Sequence, residues 1–249
     1  MNLLSEQEEK MLMTHYVQKL CHVSANLKLP RKVLSTAVTF LKRFYISASV
    51  MEYDPQQIAL VCLYVSCKVE DSYISASELG RLAGMPSDVF LKLELILLQG
   101  LGFDLQVHSV FRAVDGYILD FTVWYETGFA STLPKHDVDR IRNEAYGKVD
   151  QLLSTDAMLL FTPGQIGLAT MYATLLGTNV IDSEQVSSYV SHVCKKLGSQ
   201  ANVASQIEGI IQNVNKLLET LVNPKQDELV VLDRKVKLVR KAIAKLRKD

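Results

Sequence analysis

The chain has 249 residues, 48% of them hydrophobic, enough to bury a sizeable core in one large domain or two small ones, so widespread disorder is excluded. Lys and Arg balance Asp and Glu at 27 each, and the resulting zero net charge weighs against a dedicated nucleic-acid binder, whose phosphate contacts need a basic surplus. The N-terminus lacks a basic region followed by an apolar run, and the most apolar stretch, residues 58–69, is too short to span a bilayer, so a soluble intracellular protein without a membrane partner is expected.

Gly and Pro are scarce, at 12 and 6, and strand-like alternation is rare beside long stretches of helix formers, which predicts an all-α fold. In chain order the pattern predicts helices over Ser5 to Ala25, Pro30 to Ser47, Pro55 to Asp71, Ser75 to Ala83 and Ser87 to Leu101. The third reads Ile-Ala-Leu-Val-Cys-Leu-Tyr-Val through its middle and is apolar on every side, so it is expected to be the buried axle of the other four. A second set follows over Phe111 to Trp124, Asp137 to Ser154, Pro163 to Leu176, Ser183 to Leu197 and Val203 to Leu221. After Asn223-Pro224 comes one more helix, whose Leu229, Leu232, Val236, Val239, Ile243 and Leu246 make one apolar seam by alternating three-four spacing. Its other faces are basic, which a solvated helix face explains, and the seam suits docking on its own domain or pairing with another chain.

The two sets are copies. Tyr53-Asp54-Pro55-Gln56-Gln57-Ile58-Ala59-Leu60 recurs 108 residues later as Phe161-Thr162-Pro163-Gly164-Gln165-Ile166-Gly167-Leu168. Asp54 and Thr162 suit the N-cap because their side-chain oxygens accept from free backbone N–H groups, and Pro55 and Pro163 fill the first helical position, where a missing N–H does no harm. Leu29-Pro30-Arg31 has a matching echo in Leu133-Pro134-Lys135. A period this long is unlike that of solenoid repeats, so two helical domains of similar topology are expected.

Two charges interrupt the apolar pattern of the first copy. On a helical wheel Asp88, Lys92 and Gln99 form a polar stripe, and Glu94 points away from it among Phe90, Leu98 and Leu101, where a carboxylate needs a partner. Lys68 ends the most apolar helix, a place the helix dipole favours for a lysine. Together they could form a polar pair ringed by Val69, Leu98 and Leu105, the anatomy of an interface centre. Cys21, Cys62, Cys67 and Cys194 show neither CxxC pairing nor histidine spacing, which argues against zinc and disulfides. The five histidines have neither HExxH spacing nor a nucleophile elbow beside them, so no catalytic residue, metal or cofactor is expected.

Several strings here resemble the cyclin family. Lys-Arg-Phe-Tyr at 42 to 45, Ser-Val-Met-Glu-Tyr at 49 to 53, Cys-Lys-Val-Glu-Asp at 67 to 71 and Leu-Gly-Phe-Asp-Leu at 101 to 105 look like the first cyclin box, and the cyclin H group matches best. Val107-His108, Phe111-Arg112, Gly116 and Asp120 resemble the start of the second box, and residues 155–166 resemble its centre. The resemblance implies tandem five-helix cyclin boxes: 1–108 as the kinase-binding box, 109–222 as the second box and 223–249 as an extra C-terminal amphipathic helix. It implies that Lys68 and Glu94 hold the backbone leading into the αC helix of a cyclin-dependent kinase, with Val69, Leu98 and Leu105 as apolar contacts. The offset places Leu176 where the second copy would have Lys68, so only the first box is expected to grip the kinase this way.

The same resemblance implies a non-catalytic, nuclear subunit of a CDK-activating kinase with a RING-containing assembly subunit, within TFIIH, acting on kinase T-loops and the RNA polymerase II tail. A cyclin C-like subunit of the Mediator kinase and a TFIIB-like DNA binder are the alternatives, the latter favoured only by nine Lys or Arg against four Asp or Glu from Lys225 onward. Two departures stand out: cyclin H proteins carry an extra helix before the first box, where few residues precede Ser5 here, and Ala113 occupies a position that is often proline.

Overall fold

The computed structural model describes residues 4–197, 201–219, 221 and 225–246. All the regular structure among them is helical, in two separate units. The first contains α1 (Glu6–Asn26), α2 (Arg31–Ser47), α3 (Pro55–Val69), α4 (Ala76–Ala83) and α5 (Ser87–Gly100), joined by α12 (Gln226–Leu246) from the far end of the chain. The second contains α6 (Val110–Phe129), α7 (Lys135–Leu153), α8 (Ala157–Leu160), α9 (Pro163–Thr178), α10 (Ser183–Leu197) and α11 (Ala201–Glu219).

The repeated octapeptides do the same work in both units. Asp54 accepts from the Gln56 N–H at 3.0 Å, and Thr162 forms a capping box with Gln165, each followed by proline in the first helical turn. The helices they start are the axles. Every residue of α3 from Ile58 to Cys67 is buried, and α1, α2, α4 and α5 pack around it. In the second unit α6, α7, α10 and α11 surround α9, which buries Ile166 to Met171. Through their middles neither helix turns a residue to water, so each sits at the centre of its unit.

Two details differ from the sequence expectation. The axle α3 stops at Val69 rather than Asp71, because Asp71 turns into the left-handed region at φ 54 and the Ser72 N–H donates to the Cys67 carbonyl at 2.8 Å. The second unit gains the short helix α8, so six helices, not five, are described there. The C-terminal helix takes the docked arrangement of the two expected, and the surface it docks on is the first unit. It packs on α1, burying Leu229, Leu232, Val236 and Val239, and Val236 joins Leu12, Tyr16 and Val50 in one apolar cluster. The side chains of Ile243 and Leu246, the last two positions of the expected seam, lie outside the described residues.

Polar contacts latch α12 in place. Lys235 reaches Glu8 at 2.7 Å, while the Arg240 guanidinium donates to the Val50 carbonyl at 3.0 and 3.3 Å and pairs with Asp54 at 2.6 Å. Asp54 thus caps α3 and anchors α12 at once. Because the Arg240 side chain is only 21% exposed, Arg240→Ala strands a buried carbonyl and a part-buried carboxylate. It is expected to cost about 1–3 kcal/mol, read as a lowered thermal midpoint, and Arg240→Lys should recover only part because an ammonium lacks the fork that reaches both acceptors.

The close approach of α5 to α2 depends on Gly100. A Cβ there would lie 2.6 Å from the ring of Phe44, which is 1% exposed and held edge-on by Tyr45 and Tyr53. Gly100→Ala is therefore expected to destabilise the first unit by about 1–3 kcal/mol through overpacking, although alanine is the better helix former. Chemical denaturation would measure it.

All four cysteines are free thiols. Burial pushes Cys67 up to about 11 and Cys62 well above its ordinary value, as for inert core thiols.

Candidate partner-docking site

Lys68 stands in the last turn of α3, where the helix dipole favours a cation, and Glu94 stands in the middle of α5. The packing of α5 on α3 brings them together, with Lys68 Nζ 2.6 Å from Glu94 Oε1. The same ammonium lies 4.2 Å from the centroid of the Tyr64 ring, one turn earlier. Tyr64 is itself fixed edge-on by Phe90 of α5, so the cation rests on a floor built from both helices. Burial disfavours the charged form of Lys68, but the hydrogen bond and charge of Glu94, aided by Tyr64, outweigh it and hold the ammonium above its ordinary value.

Exposure decides whether this pair belongs to the core. The Lys68 side chain is 49% exposed and that of Glu94 15%, so the pair is open to an approaching chain on the lysine side. Glu94 does not sit in the middle of the buried face, as expected, but at its boundary. The core line of α5 runs through Phe90, Leu97 and Leu101, and Glu94 lies about 40° to one side of it at about 100° per residue. Beyond Glu94 on that side come Leu98, Leu91 and Leu95, interrupted only by Ser87 in the first turn, before the polar Asp88 and Gln99. Leu98 is half-buried, while Leu91 and Leu95 are 46% and 53% exposed. Leu91 and Leu95 leave apolar surface uncovered by the described fold, and exposed apolar surface beside an ion pair is the composition of an interface centre.

The remaining expected contacts flank this arc in the chain. Val69, the residue after the lysine, is exposed, and Leu105, beyond α5, is half-buried. Between α5 and Leu105 stands a residue that the sequence reading passed over. Phe103 is 62% exposed with φ 58, directly after Gly102 at φ 60. Gly102 closes α5, its N–H donating to the Gln99 carbonyl while the Phe103 N–H reaches the Leu98 carbonyl. For glycine the left-handed region is free of strain, but a bulky residue there pays for it. Asp104 then holds the turn: it takes the Arg43 guanidinium at 2.7 Å, and that hydrogen bond, with the Gln106 N–H, keeps its carboxyl below the ordinary range. Strain that holds an aromatic ring in water points to a surface made for contact.

The arrangement offers donors from an ammonium, an acceptor carboxylate and an apolar surround, suited to a main chain with its carbonyl and N–H groups and to apolar side chains beside it. Among the described residues no cluster of three His, Cys, Asp or Glu could hold a metal, and no helix is long and apolar enough to cross a membrane. In the second unit Leu176 takes the place of Lys68 and is 41% exposed, so the ion pair is not repeated there.

Residues 2–106 match the Cyclin, N-terminal domain family, and residues 109–219 match the Cyclin C-terminal domain family. The chain belongs to the cyclin family. Cyclin-H1-1 of Arabidopsis thaliana is 30% identical over 234 residues, covering 94% of this cyclin and 68% of the relative. A chain in the CAK complex of Chaetomium thermophilum bound to ATP-gamma-S superposes with a TM-score of 0.79 at 24% identity, covering 96% of this cyclin and 74% of that chain. A chain of the yeast TFIIK complex of Kin28, Ccl1 and Tfb3 gives 0.69 at 27% identity, covering 85% and 87%. This cyclin is thus of the cyclin H kind.

Proposed function

We propose that this cyclin H-like chain binds a cyclin-dependent kinase through the first unit and activates it allosterically, contributing no catalytic residue of its own. The observation that carries the reading is the Lys68–Glu94 pair, made at 2.6 Å at the edge of an exposed apolar arc rather than sealed in the core. Lys68 and Glu94 would hold the backbone leading into the kinase's αC helix, while Val69, Leu98 and Leu105, with Leu91, Leu95 and Phe103, cover its apolar side. Pressing αC inward completes the kinase's internal Lys–Glu ion pair, which shifts its population toward the active state.

The likeness to chains of the CAK and TFIIK complexes supports a CDK-activating kinase as the assembly, with a RING-finger subunit and the TFIIH core as further partners. Work on T-loops and the RNA polymerase II C-terminal domain would place the protein in the nucleus. The test is to add the purified cyclin to a CDK-activating-type kinase that is inactive alone, and to follow phosphorylation of a T-loop protein and a polymerase-tail peptide. Saturable activation is expected; a kinase left at its basal rate by excess cyclin would refute the reading. Duplex DNA binding that falls steeply with salt would point instead to the nucleic-acid role of a TFIIB-like fold.

A further inference from the structure

Of the exposed large hydrophobic residues in the described chain, Tyr73 is the extreme, at 95%, and the backbone that carries it is tied down on both sides. Before it, Lys32 donates to the Glu70 carbonyl at 2.8 Å and Thr36 to the Glu70 carboxylate at 2.7 Å, which fastens the end of α3 to α2. Asp71 makes the left-handed turn, and the Ser72 N–H closes on the Cys67 carbonyl at 2.8 Å. After it, Ile74 is buried and Ser75 caps α4 by accepting from the Glu78 N–H at 3.2 Å. With Ile74 turned inward, Tyr73 is driven outward, and a phenol ring stands in water on a loop with little freedom left to lose.

Such a ring is a preorganised anchor. Tyrosine buries a large amphipathic surface for only two side-chain torsions, and an already ordered loop adds little ordering cost on binding. Tyr73 follows Val69 by four residues, so chain geometry keeps it within roughly 14 Å of that end of the docking site. The residues between them carry no competing apolar exposure: Glu70 is half-buried and committed to α2, and Asp71 and Ser72 are polar.

We propose that Tyr73 is a further kinase-contact residue, its ring seated in an apolar cleft of the same kinase that engages Lys68 and Glu94, and that it sets the lifetime of the complex. This inference rests on the functional reading above. Its role is to hold the complex together rather than to move αC, so its loss should appear as faster dissociation with the activity of the saturated complex unchanged.

The test measures association and dissociation of the kinase with the parent cyclin, Tyr73→Ala, Tyr73→Phe and Glu94→Ala, alongside thermal midpoints and kinase activity at saturation. Tyr73→Ala is expected to weaken binding about tenfold, mostly through the dissociation rate, with an unchanged midpoint and full activity once saturated. Tyr73→Phe, which keeps the ring, is expected to stay close to the parent. Parental binding by Tyr73→Ala while Glu94→Ala is weakened would overturn this inference and leave the docking site standing. A loss in Tyr73→Phe equal to that in Tyr73→Ala would overturn the role of the ring. Parental binding by both Tyr73→Ala and Glu94→Ala would remove the docking site and this inference with it.

Discussion

Glu94→Ala is expected to weaken kinase binding by about 30-fold or more, a loss of roughly 2 kcal/mol, while the isolated cyclin unfolds at nearly the parental temperature. The two halves of that expectation come from different environments of one carboxylate. In the free chain its partner Lys68 is 49% exposed, and an ion pair so open to water contributes at most about 1 kcal/mol to stability. In a complex the same pair would be covered, and removing one member leaves the other charge buried without its partner. Isothermal titration and thermal unfolding on one preparation would check both.

Acidity follows the same geometry. Because Lys68 is held above its ordinary value, its contribution to stability is fully present below about 10.4 and is lost only as the pH rises through the higher value of the folded chain. The ammonium that would grip a partner is therefore charged throughout the physiological range.

Phe103→Gly is expected to separate stability from binding. The ring is 62% exposed, so truncation forfeits only the smaller part of the roughly 1.5–3 kcal/mol that a fully buried phenylalanine contributes. Relief of the left-handed backbone at φ 58 returns about 1–2 kcal/mol, less the roughly 0.5–1 kcal/mol entropy cost of glycine. The terms cancel to within about 1 kcal/mol, so the thermal midpoint should hardly move. Kinase binding should fall at least about tenfold, because the proposed docking surface includes the ring. Phe103→Ala keeps the strain and loses the ring, so it should bind as poorly and be the less stable of the two.

The axle of the first unit was legible in the sequence because an unbroken apolar run longer than a strand has only one place to go, and the starts of both central helices were legible because Asp54-Pro55 and Thr162-Pro163 are chemical signals confined to a few residues. The position of α12 was not. Its seam announces an apolar face but not which surface covers it; that is decided by Arg240 meeting Asp54 and Val50 from the opposite end of the chain, a contact without local trace. Glu94 was half legible. The wheel separated it from the polar stripe, yet the line of the core within a wide apolar face depends on where α3 lies, which placed Glu94 at the boundary and left Leu91 and Leu95 outside. Phe103 gave no sign, since nothing in Leu-Gly-Phe-Asp-Leu says that the residue after the glycine also turns left-handed.

The central claim is that Lys68 and Glu94 act as one device on a partner, and a double-mutant cycle on kinase affinity tests it most directly. With Lys68→Ala, Glu94→Ala and the double variant, the account predicts that either single change disables the grip, so the double variant binds little worse than the weaker single. Losses that simply add, or single variants that bind as the parent does, would contradict it.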